Sequence, residues 1–551
     1  MKKITLFALF LVTTLSWSQS TTWEWAYNHS LSSNDGRNPT AVDDEGNVYV
    51  IGNFKTPQFI VGTYTFDRVG PEDTWDNYII KYNPAGEIMW AKSYGGESWD
   101  SSISVTVDDS ENVYIVGSFQ QNMTIDSVIL EHSGGSQFIV KLNEEGSLLW
   151  AKKIPLSVNS LVVDASEQIY ISGGFIMPSV TIDGVTLTYQ NHTHFISRCY
   201  VAKLDNEGTC IWAKAGQANT DLTNVSYSNA VAVDADGSVY MGGFFSTPTL
   251  VFDEIVLTKS NTHLNSNNMF IVKYTSDGQA LWAKSAGSVY ENVTSIQTII
   301  TDAQHNVYAS GFFSNTVSFG AIELQTLTGG SKIFTVKYDN AGNELWVRRP
   351  ISPDGFNCIQ SSGMDSEGNL YVAGTTSTDL VFHGGIMLDV EEEGGFFVAR
   401  YNPDGNAVWA KASGGVDANA DVAITCFDDE TVYIAGTFSE PSLHFDATEL
   451  IKTSGNHDRF IAKLHHEDAL SATAFDHTSL VVYPNPVQNV IHLANTHGNS
   501  EYTVTDISGK IILKGQLASG NEIAVDDLAS GIYILQLSSE GKTSATKIVK
   551  L

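Results

Sequence analysis

The sequence predicts an all-β chain: a seven-bladed β-propeller closed by the N-terminal strand, followed by a small C-terminal Ig-like β-sandwich. Three observations predict it. Tryptophan recurs in a Trp-Ala-Lys-like strand at Trp25, Trp90, Trp150, Trp212, Trp282, Trp346 and Trp409, spaced by 65, 60, 62, 70, 64 and 63 residues. A period that long is one supersecondary unit, which buries its apolar face only by stacking on its neighbours. Within each unit, β-branched and aromatic residues alternate between Gly, Asn, Asp and Pro turns, and no stretch carries helical periodicity. Four short strands per unit, repeated radially, describe a propeller.

Taken in chain order, Met1-Lys2-Lys3 followed by an apolar run to about Leu15 reads as a signal peptide, residues 1–18, cut after Ser18. The run is short for a membrane span. The propeller is assigned to residues 23–466. A tryptophan strand around Trp23 and Trp25 comes first, before any complete unit, and the last unit ends at Lys463-Leu464 without one. Seven tryptophan strands match seven three-stranded sets only if the first strand completes the last blade. That closure leaves no open sheet edge at the seam.

Inside each unit, an Asp-led turn (Asp43, Asp108, Asp164, Asp234, Asp302, Asp365, Asp428) precedes a tyrosine strand (Tyr49, Tyr114, Tyr170, Tyr240, Tyr308, Tyr371, Tyr433). A third strand carries Lys81, Lys141, Lys203, Lys273, Lys337, Arg400 and Lys463. Residues present in every unit serve what every unit needs. The aspartates are expected to close their turns on backbone amides, and the cations to pair with acids at the rim. Extra stretches such as 180–189 read as peripheral hairpins. Residues 467–480 form a polar linker, and residues 481–551 alternate apolar and polar positions as a separate small sandwich.

Two resemblances follow from these motifs. The Val-Asp-x-x-Gly-Asn-Val-Tyr turn, the Phe-Ile-Val-Lys-Tyr strand and the Leu-Trp-Ala-Lys strand together resemble the SBBP-type propeller repeats of secreted bacterial proteins, which implies a fold and an extracytoplasmic setting but no single activity. The tail resembles the C-terminal sorting domain of the type IX secretion system of Bacteroidota. The matching positions are Pro484-Asn485-Pro486, Asp506 with Gly509 and Lys510, Leu528 with Gly531 and Tyr533, and Lys547 to Leu551, with Lys550. That resemblance implies export through the periplasm, the outer-membrane secretion machinery as partner, and a secreted or surface-attached product without a transmembrane segment.

Sixty-two acidic against thirty basic residues leave a formal charge of −32. Such a field disfavours nucleic acid as a partner. The four cysteines are read as unpaired core residues, with Cys210 expected to face Lys203 rather than Cys199. No nucleophile elbow, zinc-protease helix or phosphate loop is present, and the chain leans away from enzyme. No cofactor is predicted. Asp234-Ala235-Asp236-Gly237 opens like a calcium loop but lacks the remaining ligands, and His192 and His194 lack a third partner for a metal.

Function on a repeat scaffold is expected where the repeat is broken. Trp75 and Trp99 stand outside the tryptophan ladder, on connections that emerge on one face, beside Glu72, Asp73, Asp76, Glu97 and Asp100. An indole with nearby carboxylates suits a sugar ring. The expected function is binding of an extracellular glycan or other polymer, or a protein ligand. The alternatives are a hydrolase or lyase with acids at the propeller axis, and a passive spacer of the envelope.

Overall fold

The computed structural model describes residues 20–550 except 32–39, 133–136, 190–196, 219–224, 264–265, 291–292, 327–329, 354, 391–393, 415–419, 454–456, 468–480, 484, 495–500, 507–509, 518–521, 527 and 540–541. The expected signal peptide and nearly all of the linker lie outside the described residues. Every described element is a β-strand. Thr21–His466 forms one compact unit, and the described residues from Glu467 onward belong to another.

The larger unit contains seven successive antiparallel sheets of four strands each. In the first sheet the strands are Thr40–Val42, Val48–Phe54, Asp76–Tyr82 and Ile88–Gly96, paired in that order. The seventh takes Val422–Cys426, Thr431–Phe438 and His457–Glu467 from the end of the unit, and Ser20–Leu31 from its beginning as the outermost strand. First strands touch one another in sequence, and the seventh touches the first. Residues of all seven line one central channel of about 310 Å³.

Between its second and third strands each unit carries a two-stranded hairpin, and in the second, fourth, fifth and sixth units it bonds back to the preceding sheet. Met123 pairs with Gly96 so that the first sheet is extended to six strands, and Val251, Ser318 and Val381 bridge to Gln217, Gly287 and Ile351. These hairpins cover outer edges that would otherwise offer unpaired backbone groups.

The repeated residues explain how the sheets hold together. Asp43 accepts hydrogen bonds at Oδ1 from the amides of Glu45 and Asn47. Its Oδ2 accepts the Tyr49 hydroxyl and faces the Lys81 ammonium at 3.1 Å. The same arrangement recurs at Asp234–Tyr240–Lys273, Asp302–Tyr308–Lys337 and Asp365–Tyr371–Arg400. The cations are therefore buried over tyrosine rings rather than held at the rim; Lys81 sits 5.0 Å from the Tyr49 centroid. An isolated ammonium at such a site would shed its charge, and the carboxylate and the ring face compensate it. The seventh sheet departs from the pattern, because Asp428 and Tyr433 are one residue closer than in the others. Tyr433 donates to the Gly46 carbonyl instead, and Lys463 pairs with Glu24 of the N-terminal strand at 2.8 Å.

Each ladder tryptophan reaches the next sheet. Trp90 Nε1 donates to the Glu144 carbonyl, Trp150 to Asn206, Trp212 to Ser276, Trp282 to Asn340 and Trp346 to Pro403. The acceptor turn carries a glycine at positive φ under the indole. At Gly146 (φ +78°) a Cβ would stand 3.0 Å from the Trp90 ring. Between these ties the cores lie at the junctions: Tyr49, Ile51 and Ile79 of the first sheet share one with Ile115, Val140 and Phe138 of the second. Burial of such side chains contributes roughly 1.5–3 kcal/mol each.

None of the four cysteines is in a disulfide. Cys199 and Cys210 are buried, whereas Cys358 and Cys426 are half-buried, so only the first pair fits the expected core placement. Cys210 pairs with Leu204 rather than Lys203, because a β-bulge between Lys203 and Leu204 shifts the register by one.

In the C-terminal unit, a three-stranded sheet and a four-stranded sheet share one core that includes Ile491, Leu493, Ile523, Val504, Leu535 and Ile548. Asn485 fastens its last strand. Its Nδ2 donates to the Lys547 carbonyl and its Oδ1 accepts the Val549 amide, at 2.7 and 2.9 Å. Asp506 accepts the Lys510 amide across its turn, and Tyr533 donates to the Ala529 carbonyl. Gly531 begins the strand Gly531–Ser539, and Lys547 and Lys550 lie on Lys542–Lys550. Pro484 and Gly509 are outside the described residues, and Pro486 is exposed.

Candidate functional site

Trp75 and Trp99 meet. Each immediately precedes a strand, Asp76–Tyr82 and Asp100–Val107, and the two residues form a parallel bridge between the first and second sheets. Their rings stack with centroids 5.3 Å apart and planes 16° from parallel. Trp75 is half-buried, with its Nε1 enclosed and lacking a hydrogen-bond partner, while Trp99 is 49% exposed. The pair thus offers solvent one indole, backed by another. The Asp100 amide donates to the Trp75 carbonyl at 3.1 Å and fixes the approach of the two loops.

The acids expected beside them divide into two groups. Asp73 and Glu97 are exposed. Asp73 has a left-handed backbone (φ 77°) and its carboxylate bonds Lys55 at 2.6 Å, which holds its pKa below the usual carboxylate range. Asp76 and Asp100 instead are buried at the starts of the two strands, 2% and 1% exposed. Asp76 Oδ2 accepts the Val69 amide at 2.7 Å, and Oδ1 has no hydrogen-bond donor. Neither oxygen of Asp100 has a donor in full hydrogen-bonding geometry, although the backbone amides of Gly96 and Gln120 lie close enough to favour its charged form. Burial pushes the Asp76 pKa up to about 6, against the Val69 amide and the charge of Arg68. Burial and then the charge of Asp76 push Asp100 up to about 8.

The axis holds different chemistry. The channel is lined by threonine, serine, amide and aliphatic side chains, with no carboxylate or imidazole among the described lining residues. Its amides, Asn229, Gln297 and Gln360, sit at β-bulges, and the register slips likewise at Asn159 in the third sheet's first strand. A bulge re-aims its side chain. Asn159 donates to the Ser228 carbonyl, Asn229 to Ile296 and Gln360 to Ala420, each in the next sheet. These residues tie the inner strands together. Alternation alone does not reveal a bulge, and only the polar side chain within an otherwise apolar strand hinted at it.

A second break in the repeat lies between the fifth and sixth sheets. A cleft of about 870 Å³ is bordered by Val293, Phe312, Phe356, Asn357 and Cys358 and contains no charged side chain among its described residues. Phe356 is 68% exposed and nearby Tyr290 65%. Periodic reasoning passed over both, because an isolated aromatic on a loop carries no spacing signal. His192 and His194 lie outside the described residues, while Arg198 is buried against the Tyr189 ring at 4.1 Å. Asp234 is occupied by its turn, Tyr240 and Lys273.

Comparison with known proteins bears mainly on the tail. Residues 481–551 match the family model described as "Secretion system C-terminal sorting domain". A tail of this class directs export through the type IX system, so the chain is destined for secretion or the cell surface. The chain is also 24% identical to an uncharacterized WD repeat-containing protein of Acanthamoeba polyphaga mimivirus, across 79% of this chain and 38% of that protein. Among solved structures, a protein of unknown function from Dyadobacter fermentans aligns over 66% of this chain and 94% of its own, with 8% identity and a TM-score of 0.34. A puromycin hydrolase mutant aligns over 92% and 61%, with 8% identity and a TM-score of 0.37. Likenesses this loose carry nothing about activity. Among the described residues no helix is long and apolar enough to cross a membrane.

Proposed function

We propose that the seven sheets are the blades of an SBBP-type β-propeller closed by the N-terminal strand, joined to a small Ig-like sorting module. In this reading the propeller is an extracellular binding module for a glycan or related polymer. The observation that carries the binding reading is the Trp75–Trp99 stack. Two connections from different sheets converge to present one backed indole face, in a scaffold whose ladder tryptophans serve the sheet-to-sheet contacts. Trp99 makes the contact and Trp75 supports it. An aromatic plane set that way stacks on the apolar face of a sugar, and exposed carboxylates such as Glu97 accept its hydroxyls. The hydrolase reading needs acids at the axis, and the described channel lining supplies none.

A screen of soluble polysaccharides against the full-length chain tests this reading. Selective binding that is lost in the Trp99→Ala variant is expected. A chain that binds no glycan, or a variant that binds as well as the parent, would return Trp75 and Trp99 to the role of a blade cap.

A further inference from the structure

The junctions between successive sheets share a register. The first residue of one sheet's third strand lies beside the first residue of the next sheet's first strand. At the first junction these are Asp76, opposite Phe54, and Asp100, opposite Phe119. At the fourth they are Asn268, opposite Phe245, and Thr294, opposite Phe313. At the third and fifth they are Arg198 with Ser226 and Lys332 with Asn357.

The local packing is the same whether or not the residue is charged. A glycine of the fourth strand lies against the side chain in both cases: a Cβ on Gly95 would stand 2.5 Å from Asp76 Oδ1, and one on Gly287 2.0 Å from Asn268 Oδ1. The fold is therefore served by a neutral amide and a hydroxyl. Two acids are surplus to it. Among the junctions with both positions described, only the first brings together two carboxylates.

Those carboxylates are not neutralised by the chain. Three buried oxygens, Asp76 Oδ1 and both of Asp100, lack hydrogen-bond donors. Arg68, whose charge reaches Asp76, spends its guanidinium on the carbonyls of Gly70 and Lys55. Buried carboxylate oxygens without donors of their own are costly and call for a cation or a proton.

We propose that Asp76 and Asp100 hold a calcium-class divalent cation between the first and second sheets, each one residue along the chain from a member of the Trp75–Trp99 pair. The donors are hard oxygens. Among the described residues no group of three or more acid, histidine or cysteine side chains is placed to hold a metal, so carbonyl oxygens and water complete the six to eight ligands such an ion takes. A site with two formal charges belongs in the range of extracellular calcium modules, roughly 10⁻⁴–10⁻³ M. A net charge of −32 raises the local cation concentration. The cation ties together the loops that position both indoles, whatever Trp99 contacts, and the site does not rest on the glycan reading.

The test is thermal unfolding of the chelator-treated full-length chain, titrated with calcium chloride and compared with the Asp76→Asn/Asp100→Asn double variant. The wild type is expected to gain roughly 1–3 °C at about ten times the dissociation constant. Sodium chloride at matched ionic strength should not reproduce the gain, and the double variant should not respond. No calcium-specific shift in the wild type would overturn the proposal, as would an equal shift in the variant. A melting temperature that follows pH but ignores calcium would also overturn it and leave the pair as a shared-proton site. If the double variant does not fold, Asp100→Ser, the residue type standing at position 226, carries the same comparison.

Discussion

Trp25 Nε1 donates to the Pro84 carbonyl at 3.2 Å, the bond that Trp90 makes to Glu144 at 2.9 Å. Trp25 belongs to the N-terminal strand of the seventh sheet and Pro84 to a turn of the first, so the junction formed last uses the same contact as those formed in sequence. Gly86 (φ +81°) receives the indole there, a Cβ standing 3.0 Å from the ring. At the opposite side of the seventh sheet the turn is missing, because the strand that pairs beyond His457–Glu467 comes from the beginning of the chain. Trp409 instead packs on His466, with ring centroids 5.3 Å apart, and His466 Nε2 bonds the Tyr371 hydroxyl at 2.7 Å.

The closing contact predicts where the unit is weakest. Trp25→Ala removes the indole from Gly86 and Tyr433, and half-buried aromatic loss is expected to cost about 2–3 kcal/mol. Urea unfolding should show a lower midpoint with an unchanged m-value. An unchanged midpoint would mean the N-terminal strand adds nothing to the closure.

A matched pair of glycines separates backbone strain from packing. Gly184→Ala (φ +88°) meets nothing within 4 Å and should cost about 1 kcal/mol for the left-handed backbone alone. Gly146→Ala (φ +78°) adds the Trp90 clash and should cost about 1–2 kcal/mol more. Equal losses by calorimetry would deny the indole its seat on the turn.

The buried acids also predict a pH dependence. Both folded-state pKa values are raised, to about 6 for Asp76 and about 8 for Asp100. The unfolded chain therefore releases these protons first, and stability contributed by the protonated pair is lost as pH rises from about 4 to about 8. In chelator, the melting temperature of the wild type should fall more steeply over that window than that of the Asp76→Asn/Asp100→Asn variant. Parallel curves would show that the pair does not titrate there.

The sorting module predicts a separable phenotype. Deleting residues 481–551 should leave the protein in the periplasm with the seven-sheet unit still folded, since Thr21–His466 is compact by itself. Cell fractionation and circular dichroism check the two halves of that statement. Surface display without the tail would refute the sorting role.

Much of this was legible before any coordinates. The tryptophan spacing and the unmatched first and last strands led to seven sheets and to a strand shared between the chain's ends. The Asp-led turns matched their backbone bonds because a short carboxylate has few other options there. The placement of the lysines was misread, since nothing in period-two alternation says that a cation will be folded over a tyrosine and onto the turn aspartate. The Cys210 register was missed by one residue for the same reason as the channel amides: a bulge leaves no mark in the pattern. Trp75 and Trp99 were found because they break the repeat, but their stacking, and the burial of the adjoining Asp76 and Asp100, depend on two loops meeting across a sheet junction. Phe356 and its cleft broke no pattern strongly enough to be seen.

The most direct measurement is a calorimetric titration of the full-length chain with the best glycan from the screen, repeated on Trp99→Ala and on Tyr290→Ala as an exposed aromatic control. The account predicts at least a tenfold loss of affinity for Trp99→Ala, with Tyr290→Ala unchanged. Equal affinity in all three proteins would contradict a binding face built on the Trp75–Trp99 stack.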